Sequence, residues 1–74
     1  MNLEITQENL HLLLPGKVAN VAAIYAEEHK CEPLEAVNKF YLTKLYQDLS
    51  IEETKLWHLG PVALYEIWEE EDSF

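Results

Sequence analysis

Arginine is absent from this 74-residue chain, and cysteine and methionine occur once each. Without arginine the protein has no planar guanidinium fork with which to clamp a phosphate or carboxylate in bidentate fashion. Five lysines against fourteen acids leave a formal net charge of -9. A chain so charged repels phosphate backbones, which argues against direct binding of nucleic acid. The single Cys31 cannot form an intramolecular disulfide, whereas a small secreted domain carries several cysteines in even number. Glu4 and Glu8 stand where a secretory signal needs a basic cluster. The longest apolar run near them, Leu12 to Leu14, falls far short of the roughly 18 residues that span a bilayer. The expected location is therefore the cytoplasm, with no membrane association. Glycine occurs only twice and proline three times, and no Gly/Ser linker or internal repeat divides the chain, so one domain is expected.

Apolar residues make up 49%, with two Trp, four Tyr and two Phe, too many for a disordered chain. Folding a chain of this size removes roughly 60% of its surface from water, so stability depends on tight helix packing or on a second copy covering an exposed face.

Hydrophobic spacing predicts an all-α domain, a small bundle of four or five short helices. Thr6 reads as an N-cap before Leu10, Leu13 and Leu14, predicting a short helix over about 7–14 closed by Pro15-Gly16. Val18, Val21, Ala22 and Tyr25 predict a long helix over about 17–29. Pro33 suits a first helical position, and Leu34, Val37, Tyr41 and Leu45 share a stripe predicting a second long helix over about 33–48. Its apolar circumference is wide enough to require a central position or a partner on a second side. Ser50 and Glu53 read as a capping box for a short helix over 51–58. Gly60-Pro61 stops it and starts a last helix over 61–71, with Leu64, Tyr65 and Trp68 on one side and Glu66, Glu69 and Glu70 on the other. A weak strand candidate lies at 3–5. Tyr25, Phe40, Tyr41, Leu45, Trp57, Leu64 and Trp68 are expected in or near the core.

The titratable residues form no recognisable catalytic set. Glu27, Glu28, His29 and Cys31 lie close together, but no second Cys/His pair follows at zinc-binding spacing. His58 reads as a helix-end cap. Ser50 is a cap, Ser73 lies in the tail, and Cys31 and His29 point to opposite sides of an extended linker, which leaves no activated nucleophile. No enzyme activity, cofactor or metal is expected. The aromatic residues carry more information, because Tyr and Trp dominate binding hot spots and this chain is too small to hide all of them. With the acids of the last helix they nominate a partner-binding set of Tyr46, Trp57, Tyr65, Trp68, Glu66, Glu69 and Glu70. If the last two helices lie side by side, Glu52, Glu53, Glu66, Glu69, Glu70, Glu71 and Asp72 would make a patch that imitates a phosphate backbone.

The stretch Phe40-Tyr41-Leu42-Thr43-Lys44-Leu45-Tyr46, continuing through Gln47 and Asp48 to Leu49-Ser50-Ile51-Glu52-Glu53-Thr54-Lys55-Leu56-Trp57-His58-Leu59-Gly60-Pro61, together with Tyr25 to Glu28 and Glu35-Ala36, resembles a group of short bacterial proteins of uncharacterised function. The resemblance covers roughly residues 20 to 70. It implies a cytoplasmic helical domain, and some related short families are encoded beside larger toxin-like or ADP-ribosyltransferase-like genes. No catalytic residue comes with it. The function expected from these observations is a small acidic protein-interaction module, companion or regulator of a larger and basic protein. The alternative is a nucleic-acid-mimicking inhibitor of a basic nucleic-acid-binding protein, and a homodimer is compatible with either.

Overall fold

A computed structural model describes residues 5–73. Four α-helices, α1 (Leu14–His29), α2 (Pro33–Tyr41), α3 (Lys44–Leu49) and α4 (Pro61–Asp72), are linked with 3-10 turns at Leu10–Leu12, Glu52–Thr54 and Leu56–His58. There is no strand among the described residues, and the fold is all-α as the periodicity predicts. The strand candidate at 3–5 falls almost wholly outside them.

Helix α1 is the centre of the domain. Val18, Val21, Ala22, Tyr25 and Ala26 are buried along it, and it packs against both α2 and α4. Ala36 and Phe40 of α2, Leu45 and Leu49 of α3, and Leu64 and Trp68 of α4 complete the core. Each fully buried large side chain contributes about 1.5–3 kcal/mol relative to exposure, so Phe40, Leu49, Leu64 and Trp68 dominate the apolar stabilisation. The aromatic rings make one continuous column. Tyr25 stacks on Trp68 and on His29, each at 4.0 Å between centroids, and Phe40 lies 5.0 Å from Trp68 on the α2 side.

Three helices differ from the sequence expectation. The segment expected as a helix over 7–14 makes only a turn. Thr6 does cap it, through a reciprocal pair in which the Thr6 amide donates to Asn9 Oδ1 at 2.8 Å and the Asn9 amide to Thr6 Oγ1 at 3.4 Å. Pro15 then opens α1 instead of closing this turn, because its missing N–H falls in the first helical turn, where no intrahelical partner exists.

The helix expected over 33–48 is broken after Tyr41. Thr43 adopts an extended conformation, φ -83° and ψ 154°, and caps α3. Its hydroxyl donates to the Phe40 carbonyl at 2.7 Å and accepts from the Tyr46 amide at 2.9 Å, ending one helix and starting the next. The break turns α3 so that Leu45 and Leu49 enter the core, while Tyr41, expected in or near the core, stays 47% exposed.

The helix expected over 51–58 is two 3-10 turns separated by Lys55 in the left-handed region at φ 60°. The Ser50–Glu53 capping box does not form. Ser50 still belongs to the end of α3, and its hydroxyl donates back to the Gln47 carbonyl at 2.7 Å. This irregular segment is held by side chains, Trp57 of its own and Gln7 and Lys17 from elsewhere. Gln7 donates to the Ser50 carbonyl at 2.9 Å and accepts from the Glu52 amide at 2.8 Å, the Trp57 indole N–H donates to the Glu52 carbonyl at 3.0 Å, and Lys17 Nζ donates to the Leu59 carbonyl at 2.9 Å. Such bonds supply partners that the missing helical ladder would have given.

Candidate functional site

The residues nominated for partner binding separate into three environments. Trp68 is 1% exposed, sealed between Tyr25 and Phe40, and so lies in the core and not on a docking surface. The correction has a simple cause: α4 packs its Leu64–Trp68 stripe onto α1, and Trp68 is the residue large enough to fill the space between α1 and α2. Tyr46, Trp57 and Tyr65 are half-buried, each with an edge against the core and an edge in water. Tyr46 meets Phe40 and Tyr41 edge-on, at 5.8 and 4.8 Å between centroids. Glu66 and Glu70 are exposed.

The acids of α4 point in three directions, as their positions around a 3.6-residue turn require. Glu71 lies on the inner side toward α3, where its carboxylate accepts from the Lys44 amide at 3.0 Å and the Leu45 amide at 2.9 Å. With the Thr43 hydroxyl on the Tyr46 amide and the Thr43 carbonyl on the Gln47 amide at 3.3 Å, all four N-terminal amides of α3 have acceptors. Glu69 faces α1 and sits 2.6 Å from His29 Nε2. The Tyr65 hydroxyl also bonds Glu69, and these two donors, Tyr65 first and His29 second, hold the Glu69 carboxyl below the usual carboxylate range. Tyr65 is shifted the other way. Burial, then its bond to the charged Glu69 and the nearby Glu28, raise its hydroxyl above the ordinary tyrosine value.

Glu66 and Glu70 remain on the outer face of α4, in line with Val62 at i, i+4 and i+8. Val62 is 61% exposed. Neither carboxylate has an ion-pair partner among the described residues, where the ion pairs are His29–Glu69, Lys44–Asp48 and Lys55–Glu52. The candidate site is therefore a strip on α4: an apolar foot at Val62, two unneutralised carboxylates above it, and the half-buried Tyr65 beside them. Of the seven acids expected to imitate a phosphate backbone, Glu52, Glu69 and Glu71 are bound within the molecule. Sequence spacing could not separate these from Glu66 and Glu70, because their partners lie 26 to 40 residues away in the case of Glu71 and Glu69.

No group of His, Cys, Asp and Glu able to hold a metal ion occurs among the described residues. Cys31 is half-buried against the core just past α1. A cleft of about 260 Å³ opens between the C-terminal ends of α2 and α4, with Lys39, Leu42, Thr43, Glu71 and Asp72 on its walls and Tyr25 and Trp68 beneath. No helix among the described residues is long and apolar enough to cross a membrane. The chain matches no family model, and neither a curated protein nor a solved structure is similar to it.

Proposed function

We propose that this chain is a small acidic protein-interaction module of the cytoplasm, the companion or regulator of a larger protein, and that it acts by docking and not by chemistry. The observation that carries the proposal is the strip Val62–Glu66–Glu70. Like charges at i, i+4 destabilise a helix by about 0.2–0.5 kcal/mol, and here no cation among the described residues offsets them. A basic partner would relieve that repulsion. Val62 and the open edge of Tyr65 supply apolar contact beside the charges, the arrangement in which a few residues give most of the affinity while the acids steer encounter and reject acidic competitors. Trp57 and Tyr46 present further half-buried aromatic edges.

The test is purification of the tagged chain from its source cell at native expression level, beside a Glu66→Lys/Glu70→Lys variant. Both positions are exposed, so the variant is expected to fold, which circular dichroism would check. One larger basic protein enriched with the wild type and lost with the variant is the expected result. Equal recovery with both would remove the strip from the interface. Recovery of a nuclease or polymerase that DNA displaces from the chain would favour the mimic over the companion.

A further inference from the structure

Helices α2 and α4 both pack on α1, and between their C-terminal ends they leave the cleft of about 260 Å³ whose floor is Tyr25 and Trp68. Two of the polar groups on its walls are spent inside the molecule. The Thr43 hydroxyl both donates and accepts within the joint between α2 and α3, and the Glu71 carboxylate caps α3. Lys39 on the α2 wall and Asp72 on the α4 wall are both exposed, and the ion pairs among the described residues include neither. Lys39 Nζ stands 5.8 Å from the centre of the Tyr25 ring. The floor holds another donor. Trp68 is 1% exposed, yet its indole N–H has no hydrogen bond among the described residues, whereas that of Trp57 donates to Glu52. No side-chain nitrogen or oxygen among those residues is both sealed from solvent and unpartnered. The small opening left to Trp68 therefore includes its N–H, and the cleft is the opening that Trp68 lines. Buried indoles ordinarily find an acceptor, so an unbonded donor at the bottom of a cleft marks a place for one.

We propose that this cleft binds a small zwitterion, an α-amino acid with an apolar side chain. The ligand carboxylate accepts from the Trp68 indole N–H and the Lys39 ammonium, the ligand ammonium meets Asp72, and the ligand side chain lies on Leu42, which is 86% exposed on the cleft wall. The charges select this occupant. A neutral donor on the floor and a cation beside it call for an acceptor of negative charge. The other wall calls for the opposite sign. Helix α4 ends in Glu69, Glu70, Glu71 and Asp72 with no basic residue in its last turn, although the C-terminus of a helix favours a cation. An anion alone would be repelled by a molecule at -9, and a cation alone would leave the Trp68 N–H unbonded. A zwitterion satisfies both walls and carries no net charge. The cleft lies just below the roughly 300–1,000 Å³ of ordinary ligand pockets, which keeps the ligand small.

Titration of the isotope-labelled full chain with leucine, followed by proton–nitrogen NMR, tests the proposal. The Trp68 indole signal is expected to shift and saturate in the millimolar range, while the Trp57 indole signal, held by Glu52, stays in place. N-acetylleucine, which lacks the ammonium, and leucinamide, which lacks the carboxylate, are each expected to bind about tenfold more weakly, as is leucine to Lys39→Gln or to Asp72→Asn, because each change removes one charge-assisted bond. Both substitutions fall on exposed side chains, so the amide spectrum away from the cleft is expected to be unchanged. A Trp68 signal that stays in place at tens of millimolar leucine would overturn the proposal and leave the cleft to water. Equal affinity for the three compounds, or for wild type and both variants, would overturn it as well. Because Glu66 and Glu70 do not line the cleft, failure here would leave the α4 strip untouched.

Discussion

Among single residues, Glu69 ties α4 to the end of α1 through polar bonds. Its carboxylate takes a bond from Tyr65 on its own helix and one from His29 on α1, and the His29 ring is itself stacked on Tyr25. The depressed Glu69 ionisation adds stability that is fully present above the ordinary carboxylate value, about 4.3, and is lost as pH falls through the folded-state value. Acid unfolding of the wild type is therefore expected to be steeper than that of Glu69→Gln, measured by urea titrations at several pH values. At the alkaline end the sign is opposite. Tyr65 is raised in the folded state, so its contribution persists below about pH 10 and is lost above it, and Tyr65→Phe is expected to flatten that limb. Equal slopes for wild type and variants would show that these groups titrate alike folded and unfolded.

At the scale of the element, the joint between α2 and α3 is the feature most dependent on single hydrogen bonds. Thr43→Ala removes both the bond that ends α2 and the cap that starts α3, and a loss of about 1–2 kcal/mol is expected in denaturant titrations, most of it recovered by Thr43→Ser. Glu71→Ala is expected to cost a similar amount by stranding the Lys44 and Leu45 amides. If Thr43→Ala were neutral, the joint would be held by packing alone.

This joint also marks where the sequence ceases to be legible. The all-α class and the stripes of α1 and α4 follow from local periodicity, which Val18, Val21, Ala22 and Tyr25 display within eight residues. The break at Thr43 does not follow, because Leu42 and Leu45 continue the apolar pattern and half of the cap comes from Glu71 in a distant helix. The segment 51–58 misleads for the same reason. Its charged and apolar residues suit a helix, but Lys55 turns left-handed, the Trp57 indole bonds back to Glu52, and Gln7 and Lys17 hold the backbone from elsewhere. Of the nominated docking residues, Glu66 and Glu70 can be read from the outer face of α4. Trp68 is expected both in or near the core and in the docking set, and of the two the core is its place, against Tyr25 of its own chain.

For the whole molecule, the division of charge matters more than its sum. The acids concentrate toward α4, where Glu66, Glu69, Glu70, Glu71 and Asp72 make five of the fourteen, while residues 9–26 carry Lys17 and no acid, so the α4 strip is the surface suited to a basic protein. That strip uses two carboxylates that pair with no cation among the described residues, and it requires neither a pocket nor a reactive group.

The measurement that bears most directly on this account is the affinity of the chain for its co-purified partner as a function of salt, with wild type and Glu66→Lys/Glu70→Lys side by side. Raising ionic strength from about 0.05 to 0.3 M shortens the screening length about 2.5-fold, and the wild type is expected to lose affinity steeply while the variant binds weakly at both. A wild-type affinity indifferent to salt and equal to that of the variant would contradict docking through the acidic strip.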